Sequence, residues 1–246
     1  MPVPPIPTAW VPPRPDVSLR PRVPWGPKSA LAVYFMAGGA SLFTAIAVHA
    51  VPGVKGPAAE AIGGFLLESM LILIAVWWIR SFEDGNLHVL GFPPTNPLGD
   101  IGIGLGFGVV AVIADVVVAI VVAAIVRAVT GHAPSHPPTV LRDLQGAWAI
   151  PVAFVAVVMA PLGEETLFRG FVLQGLENGF SPARAILISA ALFAFVHVYP
   201  VEMPSIFAIG ILLAVVFRQR RSLLASMTAH GTVNLTVVLL TLASRR

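Results

Sequence analysis

The chain has 246 residues, of which 57% are hydrophobic and only 11% charged, with a formal net charge of +3 at pH 7 and no cysteine. A soluble domain carries about 25% charged residues, so this chain has too little polar surface to cover itself in water and reads as a polytopic membrane protein. The missing cysteines exclude disulfides, thiolate nucleophiles and cysteine-ligated zinc.

Residues 1–28 are dense in proline and carry Arg14, Arg20, Arg22 and Lys28. Such a segment is extended rather than helical. It has no apolar core or small-residue cleavage site of the signal-peptide kind. The expectation is a solvated cytoplasmic tail lying near anionic lipid. Residues 29–246 then form a single integral-membrane domain.

Seven apolar runs follow. Ser29–Ala50 is long enough to span. Pro57–Ile79 ends in an aromatic and basic interface anchor, WWIR, and contains Glu60 and Glu68. Ile101–Val129 opens with glycines suited to close helix packing and contains Asp115. The loop after it holds His132 and His136 among prolines and reads as a plain loop. The fourth run starts at Ala147 and extends to about Gln174. Pro182–Val198, Pro204–Phe217 and Ser222–Leu242 complete the set, with a basic cluster at Arg218, Arg220 and Arg221 between the last two. The expected fold is an all-α bundle of about seven or eight transmembrane helices. Seven spans place the basic tail and the arginine cluster on one side, as the positive-inside rule asks. Arg245 and Arg246 then fall on the other side, and an eighth helix would move them. Glu68 and Asp115 read as polar packing groups, and Glu202 as a solvated loop residue.

The fourth run carries adjacent carboxylates, Glu164 and Glu165, followed by Arg169. On a helix Glu165 and Arg169 share a face one turn apart and pair. Glu164 is rotated by about 100° and remains free. Carboxylates within a bilayer are costly and mark functional sites. Two further pairs at helical i, i+4 spacing occur in apolar runs: Phe193 with His197, and His230 with Asn234. A His or Asn in lipid needs a polar partner, so these faces turn inward. At about 1.5 Å per residue, Glu164 and His230 lie roughly 15 Å and 12 Å from the side that carries the arginine cluster, and His197 about 22 Å. One shared polar cavity satisfies all of them. A carboxylate beside an imidazole takes a proton from water, and a second imidazole with a carboxamide donates to an oxyanion. No serine sits in a G-x-S-x-G elbow.

These residues resemble a known family. EETLFR, FAFVH and HGTVN fit the EExxxR, FxxxH and HxxxN motifs, in order and on successive apolar runs, of the CAAX protease and bacteriocin-processing (CPBP, or Abi) family of intramembrane proteases, related to the Ras-converting CAAX endopeptidase. The resemblance covers about residues 147–242. It implies a conical cavity open toward the cytoplasm and peptide hydrolysis by a glutamate-activated water. Carried over by position, Glu164 is the base, assisted by His197, while His230 and Asn234 form the oxyanion site. Glu165 and Arg169 support them, and Phe193 shapes the pocket. No metal or other cofactor is implied. The partners are a membrane-associated, prenylated or precursor peptide and the bilayer, not nucleic acid, and the expected location is a bacterial cell membrane.

Two other classes fit parts of the pattern. A zinc protease with Glu164, His197 and His230 as ligands suits catalytic zinc, although HExxH is absent. A non-enzymatic binding or immunity protein would use the same cavity to hold a partner.

Overall fold

The computed structural model describes residues 23–82, 86–134 and 146–244. The expectations for residues 1–22, for His136 and for Arg245 and Arg246 lie outside them. Among the described residues the fold is all helix, and the seven apolar runs become seven long helices: α1 (Pro27–His49), α2 (Pro57–Phe82), α3 (Pro97–Thr130), α4 (Ala149–Glu177), α5 (Pro182–Phe195), α6 (Met203–Arg220) and α7 (Leu223–Ala243). Prolines open α1, α2, α3 and α5, where the missing N–H costs nothing.

Six of the seven are long and apolar enough to cross a membrane. The exception corrects the expected seven full spans. Helix α5 has 14 residues, about 21 Å, short of a hydrocarbon core of about 30 Å. It stops at Phe195, and His197 therefore stands just past its end.

Helix α4 is the centre of the bundle. It touches α1, α2, α5, α6 and α7, and every residue from Thr166 to Leu176 is buried. Helix α3 packs along α6 and α7. Its early glycines make that possible: a Cβ on Gly104 would lie 2.6 Å from the Ala225 carbonyl, and one on Gly108 would lie 2.6 Å from Thr232.

One end of the bundle is tied by polar contacts. Asn178, just after α4, donates from Nδ2 to the carbonyls of Val23 at 2.7 Å and Trp25 at 2.6 Å. Arg218 pairs with Glu177, Arg221 Nη2 lies 3.0 Å from the same carboxylate, and Arg220 Nε lies 2.8 Å from Asp100. The start of α1 and the arginine cluster thus share one end, as expected from the sequence, and the short α5 does not disturb this because α6 returns the chain.

Candidate active site

The site is built on two irregular stretches of α4. Pro161 has no N–H, and its ring crowds the carbonyl one turn back. The helix widens instead of breaking: Val155–Met159 forms a π turn in which Ala160 N–H bonds to the Val155 carbonyl. The Ala156 carbonyl loses both candidate backbone donors, since Ala160 is taken and Pro161 has none. Asn234 of α7 supplies the replacement, donating from Nδ2 at 2.7 Å. Gly231 allows this approach, because a Cβ there would lie 3.1 Å from the Val157 carbonyl. Pro161 and Gly163 therefore do not end the helix at the membrane interface. They shape it.

Glu164 and Glu165 come next. Glu165 and Arg169 are both 0% exposed and pair at 2.8 Å. Arg169 Nη2 also donates to the Gly210 carbonyl of α6 at 3.2 Å. His230 Nδ1–H donates to Glu165 Oε1 at 2.9 Å. One carboxylate thus serves a guanidinium and an imidazole, which is what a buried ion pair requires to be tolerated. The pairing of Glu165 with Arg169 expected from the spacing is present, made through Glu165 Oε1.

Glu164 stands apart. It is 17% exposed, and the closest ion-pair contact of its carboxylate is His230 Nε2 at 3.8 Å, beyond hydrogen-bond distance. Its Oε2 is buried with no hydrogen-bond partner among the described residues. Glu164 and His197 line one cavity of about 190 Å³, together with Tyr34, Phe168 and Glu68. His197 Nδ1–H donates to the Phe193 carbonyl at 2.8 Å, which leaves Nε2 as the lone-pair nitrogen of the neutral ring.

Phe193 spaces the polar groups. The Arg169 guanidinium carbon lies 4.4 Å from its ring centroid. The rings of His197 and His230 meet the same ring edge-on at 5.0 Å and 5.9 Å. A smaller residue here would remove the common surface on which the guanidinium and both imidazoles rest.

The structure therefore gathers Glu164, Glu165, Arg169, Phe193, His197 and His230 at one place. Asn234 sits one turn beyond His230, with one amide N–H on Ala156 and the other not committed to it. Among the described residues no group of three or more His, Asp and Glu is disposed to hold a metal ion. Sequence reading took Glu68, which also lines the cavity, as a polar packing group. Its only sequence signal was a carboxylate deep in an apolar run, the same signal that singled out Glu164.

No curated protein and no solved structure matches the chain. Residues 146–236 match the family model described as Rce1-like, type II CAAX prenyl endopeptidase. That segment holds Glu164, Glu165, Arg169, Phe193, His197, His230 and Asn234, so the part of the chain that carries the three motifs is similar to the Rce1-like CAAX proteases.

Proposed function

We propose that the chain is an intramembrane endopeptidase in which Glu164 activates a water molecule for attack on a peptide bond. The observation that carries this reading is the contrast within the adjacent pair: Glu165 is fully buried, outside the cavity lining, with its Oε1 bound to Arg169 and His230, while Glu164 lines the cavity and is paired with neither of them at hydrogen-bond distance. Glu164 takes a proton from water as the oxygen bonds to the carbonyl carbon. His197, across the same cavity, assists by orienting that water. Glu165 fixes the His230 ring so that Nε2 faces Glu164, and His230 together with the second N–H of Asn234 forms the oxyanion site. The proposed substrates are membrane-associated peptides, with S-prenyl peptides first among them because of the family match. The cavity is proposed to open toward the cytoplasm, on the side of the arginine cluster.

The test is cleavage by purified protein in detergent of an internally quenched S-farnesyl peptide and of its unprenylated counterpart. Glu164→Gln keeps the side chain's shape and removes the base, so turnover falls by roughly 10²–10⁴-fold. Wild-type turnover in that variant overturns the mechanism, and equal cleavage of both peptides overturns the prenyl preference.

A further inference from the structure

Glu68 lies outside the segment that matches the family, on α2, and it is 5% exposed. Three observations tie it to Glu164. Both carboxylates line the same cavity of about 190 Å³. Each has a buried Oε2 without a hydrogen-bond partner among the described residues. Helices α2 and α4 cross at Gly163, the residue before Glu164, so closely that a Cβ there would run into Glu68 Oε2 and lie 2.8 Å from the Glu68 carbonyl. The carboxyl group of Glu68 is thereby held against α4 at the residue before Glu164, on the cavity that both carboxylates line.

The guanidinium nearby is already committed. Arg169 is paired with Glu165, and His230 bonds that carboxylate through Nδ1 while its Nε2 lies 3.8 Å from Glu164, beyond hydrogen-bond distance. The other titratable groups lining the cavity are Tyr34 of α1 and His197 past α5, with the Ser41 hydroxyl beside them. Two carboxyl groups that line one cavity, neither of them paired with a guanidinium or ammonium, form an arrangement that can hold one proton between them.

We propose that Glu68 and Glu164 form a carboxyl dyad that shares one proton, and that Glu68 is the acid for the leaving amine. This rests on the reading of Glu164 as the water-activating base. The proton count closes. The resting dyad holds one proton, on Glu68. Water attack forms the C–O bond and passes a second proton to Glu164, while the carbonyl π electrons move to the oxyanion. Collapse re-forms the C=O bond and breaks C–N, and the nitrogen takes that electron pair and the Glu68 proton. A carboxylic acid and an amine leave, and the dyad again holds one proton. Two carboxyl groups with opposite tasks are a recurring solution to acid–base catalysis near neutral pH.

The experiment is infrared spectroscopy of the purified full-length protein in detergent at pH 7, in H₂O and D₂O, with no substrate present. The expected result is a protonated-carboxyl C=O band in the wild type that both Glu68→Gln and Glu164→Gln abolish or move. Glu68→Asp, which keeps a carboxyl group, shifts the band without removing it, and it carries the test if Glu68→Gln does not fold. Absence of the band, or a band that Glu164→Gln leaves in place, overturns the dyad. Peptide cleavage is measured separately on the same variants. Loss of cleavage in Glu164→Gln with no dyad band sinks only this inference, whereas a dyad band with full cleavage in Glu164→Gln sinks the protease mechanism and spares the shared proton. For the acid role, Glu68→Gln lowers turnover of the amide by about 10²-fold or more and spares an aryl ester of the same acyl group, whose phenolate leaves without a proton. An equal loss on both substrates assigns Glu68 a packing role and overturns the acid assignment.

Discussion

Asn234 donates to the Ala156 carbonyl at 2.7 Å, and that carbonyl lacks a backbone donor because of Pro161. Two of the three motif segments are thus joined by a hydrogen bond that a proline makes necessary. The stretch leading into EETLFR widens α4, and the last residue of HGTVN seals the opening while its first residue, His230, holds Glu165. This contact and the His230–Glu165 bond together fix how α7 sits against α4.

A double-mutant cycle tests it. Asn234→Ala leaves the Ala156 carbonyl unsatisfied in a buried region, which costs about 1–3 kcal/mol. Pro161→Ala returns a backbone N–H to α4. The stability loss from Asn234→Ala, read as a fall in Tm, should shrink in the Pro161→Ala background. Additive losses would show that Pro161 does not create the need for Asn234.

Arg169→Ala removes the partner of a fully buried carboxylate. Loss of one member of such a pair costs about 3–5 kcal/mol. The expected outcome is low yield and a much reduced Tm, with Arg169→Lys recovering part of the loss, since a lysine provides charge without reaching both Glu165 and the Gly210 carbonyl. A variant Arg169→Ala that melts like wild type contradicts the pairing.

Gly163→Ala places a methyl group against the backbone of Glu68. Overpacking of this kind costs about 1–3 kcal/mol. Because the displaced helix carries Glu68, the substitution should lower turnover as well as Tm. A fall in Tm alone, with turnover intact, would mean that the α2–α4 spacing does not matter to the chemistry.

The seven runs were legible because membrane helices announce themselves in local composition, and their ends agree with the structure to within a few residues. The pairing of Glu165 with Arg169 was legible from i, i+4 spacing alone. The shortness of α5 was not, because the apolar run continues through Val196 and Val198 after the helix has stopped at Phe195. Pro161 and Gly163 are helix breakers by local propensity, and packing against α7 and α2 carries α4 through both. Glu68 read as a packing group because its approach to Glu164 depends on how α2 crosses α4, and nothing in either helix's own periodicity encodes that. His230 read as an oxyanion donor, and its bond to Glu165 depends likewise on how α7 packs on α4.

The shared end of α1 and α6 bears on orientation. Val23 and Trp25 are held by Asn178, next to the Glu177 that holds Arg218 and Arg221. Cysteines introduced at Ala9 and at Gln219 should therefore react alike, and by the positive-inside rule both should resist an impermeant thiol reagent added to intact cells. Labelling of Gln219→Cys from outside would reverse the proposed orientation.

The proposed chemistry turns on Glu164. If it removes the proton from water, Glu164→Gln lowers turnover by roughly 10²–10⁴-fold and leaves KM for a peptide substrate largely unchanged, because the lost interaction exists only in the transition state. His197→Ala should lower turnover through the same step, and its effect should be far smaller in the Glu164→Gln background than in the wild type, since residues acting as a unit are not additive. A tight chelator such as phenanthroline should leave wild-type turnover unchanged. The three measurements separate the readings. Full activity in Glu164→Gln removes the carboxylate from the mechanism. Activity lost to chelator and restored by zinc recasts Glu164, His197 and His230 as ligands. Loss in Glu164→Gln with indifference to chelator, and a His197 effect that collapses in the double variant, is the outcome that a glutamate-activated water requires.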